Sequence, residues 1–95
     1  MGYYIMDFEW DENKNKINKA KHKVSFETAV LAFDDENKVE VFDRFHSTLE
    51  ETRFLLIGKV KGILTVIFTE RKDKIRIISA RHANSIEKDI YYGNR

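Results

Sequence analysis

The amino-acid sequence predicts an α+β fold in the order β-α-α-β-β-β-β-α. It describes an antiparallel sheet of four to five strands, with two N-terminal helices and a C-terminal helix. Two observations carry this reading. Three strand-like runs, residues 53–60, 63–70 and 74–79, follow one another with links of two or three residues, and such short links join antiparallel neighbours. Ahead of them, two helical patterns sit back to back over 11–22 and 25–34. Helices grouped before a block of strands indicate layers of helix and antiparallel sheet.

Each element has its own justification. Residues 3–8, Tyr-Tyr-Ile-Met-Asp-Phe, are rich in aromatic and β-branched side chains and predict a first strand. Asp11 is placed to N-cap the first helix, with Glu12 in its first turn. Only Ile17 and Ala20 are apolar inside that helix, so a narrow stripe of it packs and its lysines are exposed. Ser25 is the expected cap of the second helix, where Phe26, Ala29, Val30 and Phe33 recur at helical spacing. Residues 38–42 alternate and predict a strand near a sheet edge, followed by a polar, acidic loop over 43–52. The runs Phe54–Ile57 and Val66–Phe68 are apolar at both parities, as in central strands covered on both faces. The last helix spans 84–92, with Asn84 as its cap, Glu87 three residues on, and Ile86, Ile90 and Tyr91 as its apolar face.

The chain has 95 residues, no cysteine and no proline. That length suits one domain, 1–95, with a modest core. Without cysteine there is neither a disulfide framework nor a thiolate metal site or thiol nucleophile. No apolar run approaches membrane-spanning length, and the first residues carry no signal-peptide pattern. The expected compartment is the cytoplasm. A net charge of +1 taken alone argues against a nucleic-acid partner, but the charges are segregated. Residues 1–12 carry −4, 13–26 carry +5, 27–52 carry −6 and 53–82 carry +6. Folding can join the two basic blocks into one cationic patch, or the blocks can simply solvate separate faces.

Several chemistries are absent. His22, His46 and His82 lack the close spacing of metal ligands, so no metal site and no cofactor is expected. The glycines at 2, 58, 62 and 93 form no phosphate loop, and no serine elbow occurs. What remains is arginine, lysine and histidine. RNA can be cut with these alone. The 2′-OH attacks the adjacent phosphate while the protein supplies a base, cations for the phosphorane and an acid for the leaving oxygen. Arginine suits the second task through its planar fork. Arg53, Arg71, Arg76 and Arg81 sit at or near strand ends. Arg76 and Arg81 are five residues apart, so a regular strand would turn them to opposite faces unless a bulge intervenes. His22 closes the first helix. It is either a helix-end cation satisfying carbonyls or a proton-transfer group. Trp10 most simply anchors the first helix, and base stacking by Trp10 or Tyr92 is the alternative.

A set of segments then resembles one family: Phe8-Glu9-Trp10-Asp11 with Lys14, Asn18 and Lys21-His22; Val24-Ser25-Phe26-Glu27-x-Ala29 to Phe33-Asp34-Asp35; Arg53-Phe54, Ile57-Gly58 and Thr69-x-Arg71; and Arg76-Ile77-Ile78-Ser79-Ala80-Arg81-x-Ala83 with Glu87 and Tyr91. Together they resemble the BrnT family of type II toxins over nearly the whole chain. The resemblance implies a RelE-like fold and an RNA endonuclease that inhibits translation. It also implies a BrnA-like ribbon-helix-helix antitoxin, through which alone the complex would meet operator DNA. Carried over by position, His22, Arg53, Arg71, Arg76 and Arg81 are the candidate catalytic residues, and Lys14, Lys19 and Lys21 the candidate RNA-binding ones. Two positions depart from the family pattern. Lys23 stands where glycine is usual, at a helix end of positive φ, and Thr52 stands where an acid usually precedes Arg53, leaving Glu50 or Glu51 to replace it. A non-enzymatic nucleic-acid-binding module on the same basic surface is the competing reading, and a plain structural subunit is a third. The cleavage mechanism requires Lys21, His22 and the four arginines to converge on one concave surface.

Overall fold

The computed structural model of the chain describes residues 7–93. Its order is β1 (Asp7–Glu9), α1 (Glu12–His22), α2 (Phe26–Leu31) continued by a 3₁₀ turn (Ala32–Asp34), β2 (Val39–Phe42), β3 (Arg53–Lys59), β4 (Ile63–Arg71), β5 (Lys74–His82) and α3 (Ser85–Gly93). The expected α+β order holds. Of the strand expected over 3–8, residues 3–6 lie outside the described residues.

The five strands form one sheet in the order β1-β5-β4-β3-β2. Pairing from β2 to β5 is antiparallel, as the short links require, whereas β1 runs parallel to β5. A first strand that joins the last one needs the whole chain as its connection, so the links between consecutive elements do not announce it. β2 forms the opposite edge.

Alternate residues of β3, β4 and β5 send Leu56, Leu64, Val66, Phe68, Ile75, Ile77 and Ala80 to one face. There they pack with Val24, Phe26, Ala29, Ala32 and Phe33. Aromatic rings cross this layer in edge and stacked contacts, from Phe8 to Phe33 (5.0 Å), Phe68 (5.1 Å), Phe54 (5.5 Å) and Phe42 (6.2 Å). Edge-to-face and offset pairs suit the ring quadrupole. The 3₁₀ turn crosses β3 so closely that a Cβ on Gly58 would stand 2.7 Å from the Ala32 carbonyl oxygen, and only glycine fits there.

The anchoring of α1 differs from the expected apolar stripe. Ile17 and Ala20 are exposed, and the buried positions are Asn15 and Asn18. Asn15 accepts from the Phe26 N–H and donates to Glu27. Asn18 donates to the carbonyls of Val24 and Ala80 and accepts from the Ala80 N–H. The helix is thus held by saturated amides, because buried polar groups are stable only when paired. Asp11 and Ser25 cap the two helices as expected. Lys23 ends α1 at φ 62°, in the left-handed region, with its N–H donating to the Lys19 carbonyl.

α3 covers the end of the other sheet face. Its buried residues are Glu87 and Tyr91, Tyr91 packing with Ile57, Ile63 and the preceding Ala83, whereas Ile86 and Ile90 are exposed. The expected apolar face is therefore displaced by one position around the helix. The capping box explains this. Asn84 and Glu87 exchange hydrogen bonds through their side chains and backbone N–H groups, and the Glu87 carboxylate points at the sheet.

Candidate active site

The sheet face opposite α2 carries the four arginines, with α1 flanking it at the β5 edge. Arg53 pairs in register with Thr69, Thr69 with Arg76, and Arg76 with Glu9, so one row crosses four strands. Arg71 lies two residues along β4 from Thr69 and shares its face, opposite Lys74. Arg81 pairs with Thr65, four residues from Thr69 on β4, and so faces the same way. The parity conflict between Arg76 and Arg81 is resolved by a β-bulge. Phe68 pairs with Ile77 and Ile67 with Ser79, which leaves Ile78 as the extra residue.

A groove of about 280 Å³ lies on this face, lined by Asp43, His46, Arg53, Leu55, Ile67, Ile78, Ser79 and Arg81. A second concavity shares its wall at Ile78 and Ser79 and is lined by Lys14, Lys21 and His22 of α1. Arg71 lines two depressions at the far end of the face, one with Glu51 and Thr69 and one with Glu9 and Lys74. The fold thus brings Lys14, Lys21, His22, Arg53 and Arg81 along two adjoining concavities rather than the single concave surface expected, with Arg76 two strands from Arg53 across Thr69 and Arg71 at the far end of the face. Lys19 is set apart; its charge acts on Glu27 of α2.

Each arginine meets a carboxylate. Arg53 Nε donates to Glu51 at 2.8 Å, and Arg71 reaches the other oxygen of Glu51 at 3.6 Å. The hydrogen bond from Arg53 is the largest influence on the Glu51 carboxyl; burial opposes it, and the charges of both arginines help to hold the group below its ordinary value of 4.5. Arg76 meets Glu9 at 3.4 Å. Arg81 binds Glu87 with both terminal nitrogens, at 2.7 and 2.8 Å, and Glu87 also accepts from the Thr65 hydroxyl and the Asn84 N–H. Burial pushes the Glu87 carboxyl up, but the bonds from Arg81, Asn84 and Thr65 outweigh it and leave the group lowered. The Glu87 hydrogen bond in turn keeps Arg81 firmly charged.

These pairs differ in kind. Glu51 and Glu9 are partly exposed, and solvated pairs yield readily to a competing phosphate. The Glu87 pair is bidentate, with its carboxylate largely buried, so Arg81 presents a fixed charge to the groove while bracing α3. Among the described residues, no three histidine, aspartate or glutamate side chains are placed to hold a metal ion.

Asp43 and His46 were not among the expected site residues. The Asp43 carboxylate meets His46 Nδ1 at 2.9 Å, and both line the arginine groove. The signal was an Asp-x-x-His spacing in a loop leading into Arg53, visible only once the loop is known to fold back.

The family model described as the ribonuclease toxin BrnT of type II toxin–antitoxin systems matches residues 10–87. The crystal structure of the Brucella abortus ribonuclease toxin BrnT, at 1.1 Å resolution, superposes with a TM-score of 0.61 at 29% identity, covering 84% of this chain and 99% of that one. No curated protein matches the chain. With more than three quarters of its length matched, over all three helices' capping residues and the β2–β5 strands that carry the arginines, the chain belongs to the BrnT family of type II toxin–antitoxin ribonuclease toxins.

Proposed function

We propose that this chain is a metal-independent RNA endonuclease whose open sheet face binds the phosphate backbone and promotes attack of a 2′-OH on the adjacent phosphorus. The observation that carries the reading is the common facing of Arg53, Arg71, Arg76 and Arg81 on one side of the sheet, where Arg53 and Arg81 line a groove that adjoins the Lys14–Lys21–His22 concavity at Ile78 and Ser79. Arg53 and Arg76, paired only to partly exposed carboxylates, exchange those partners for phosphate oxygens. They stabilise the charge that develops on the phosphorane. Arg81 holds its bidentate partner and acts as a fixed positive wall. Lys14 and Lys21 track the backbone, with Lys19 adding long-range attraction, and His22 transfers a proton at the α1 wall. In the cell the cleavage inhibits translation in the cytoplasm. A BrnA-like ribbon-helix-helix antitoxin neutralises the enzyme and carries the complex to operator DNA.

The test uses purified protein, end-labelled RNA and EDTA. Wild type should cleave the RNA, Arg53→Ala and Arg76→Ala should each lower kcat/KM by roughly 10²-fold, and the double variant should no longer arrest growth when expressed without a partner. RNA that is bound in a salt-sensitive way yet stays intact would instead favour the non-enzymatic binding module.

A further inference from the structure

We propose that His46, oriented by Asp43, is the general base of this groove; the inference deepens the ribonuclease reading and rests on it. A base must stand within reach of the phosphate-binding cations and expose a lone pair to the substrate. Glu51 and Glu87 stand near the arginines, but those arginines hold their carboxyls below the ordinary range. This makes them arginine partners and poor bases. His22 is on the α1 wall, across the Ile78–Ser79 ridge. His46 lines the same groove as Arg53 and Arg81.

The local geometry prepares His46 for this role. Its Nδ1 lies 2.9 and 3.1 Å from the two Asp43 oxygens. A carboxylate so placed accepts from Nδ1–H and selects the tautomer in which Nε2 carries the lone pair. The imidazole is 70% exposed while the Asp43 side chain is 10% exposed, so the reactive nitrogen is open and its orienting partner is shielded. The loop is not free to drift. The Asp43 N–H donates to the Arg53 carbonyl, Ser47 Oγ donates to the Asp43 carbonyl, and the Arg53 N–H donates to Ser47 Oγ. The dyad is thereby pinned to the strand that carries Arg53. A simple loop brace does not need the ring, because the His46 backbone N–H already reaches Asp43 Oδ1.

The step balances. His46 Nε2 takes the 2′-OH proton as O2′ bonds to phosphorus, and the P–O5′ bond breaks to leave a 2′,3′-cyclic phosphate. The departing 5′-oxygen takes its proton from an acid, the role proposed above for His22. The charged groups facing His46 are Asp43 from its own loop, Arg53 from β3 and Arg81 from β5.

The experiment compares wild type, His46→Gln, His46→Ala and Asp43→Asn on labelled RNA in EDTA from pH 5 to 8.5. Expected are a loss of kcat by 10²-fold or more in His46→Gln with RNA affinity within threefold of wild type, disappearance of the acid limb of its pH profile, and partial rescue of His46→Ala by added imidazole. Asp43→Asn, a positioning change, should shift the limb and lower kcat by a smaller factor. Wild-type cleavage unaffected by His46→Gln, or lost in His46→Ala without imidazole rescue, overturns the role of His46 and leaves the ribonuclease reading standing. An inactive wild type overturns both.

Discussion

Arg76 and Arg81 lie five residues apart on β5 and face the same side of the sheet, because Ile78 is an unpaired extra residue between them. Strict alternation would have sent Arg81 among the core phenylalanines. Deleting Ile78 should therefore be far more damaging than replacing it. Without the bulge either Arg76 or the pair Ala80 and Arg81 must change face, and a charge enters the core or Glu87 loses its partner. Urea denaturation should show Ile78→Val within about 1.5 kcal/mol of wild type, and the deletion variant without a cooperative transition.

The Glu87 carboxyl is lowered in the folded chain, so its contribution is fully present above the ordinary value of 4.5 and is lost as pH falls through the lowered one. Asp35 behaves likewise: burial raises it, but the Tyr91 hydroxyl and the N–H groups of Asn37 and Lys59 lower it further. Melting temperature should thus fall on acidification from pH 5 to 3. Glu87→Gln should cost about 2 kcal/mol at pH 7, below the roughly 3–5 kcal/mol of a fully buried pair because Arg81 keeps some solvent, and its melting temperature should fall less over the same acid range.

Glu51 occupies Arg53 and Arg71 at once. Replacing it with glutamine should free both guanidinium groups and tighten RNA binding by about threefold at low salt, the scale of an exposed ion pair. Fluorescence anisotropy against salt concentration should show a steeper slope for the variant. Equal slopes would mean that phosphate does not compete for these arginines.

Lys23 keeps the left-handed geometry that glycine adopts without a Cβ penalty. Lys23→Gly should stabilise the chain by about 0.5–1 kcal/mol, the strain relieved less the entropy that glycine gains when unfolded. Thermal melts at equal pH and salt measure it.

Much of this architecture is legible in the residues themselves. Asp11, Ser25 and Asn84 announce the three helix starts, because capping is a local event. The meander is equally local, since links of two or three residues leave antiparallel pairing as the economical arrangement. Long-range choices are not legible. Nothing near Phe8 signals its register opposite Ile75, and nothing around Ile17 shows that two asparagines rather than an apolar stripe seat the helix. The arginines were readable as a set, but their common face depended on a one-residue irregularity. The pairing of Asp43 with His46 is not legible, because a polar loop gives no sign of being tied to the next strand by the Ser47 hydroxyl and an Asp43–Arg53 backbone bond.

Asn18 has one more consequence. β1 covers β5 only as far as Arg76, and beyond it the outer rim of the last strand would offer bare peptide groups to any extended segment of another molecule. The Asn18 amide occupies both groups of Ala80, as a strand would, but cannot be extended by a further strand. A single side chain thus blocks recruitment of another molecule at that point and shields the protein from edge-to-edge aggregation at high concentration.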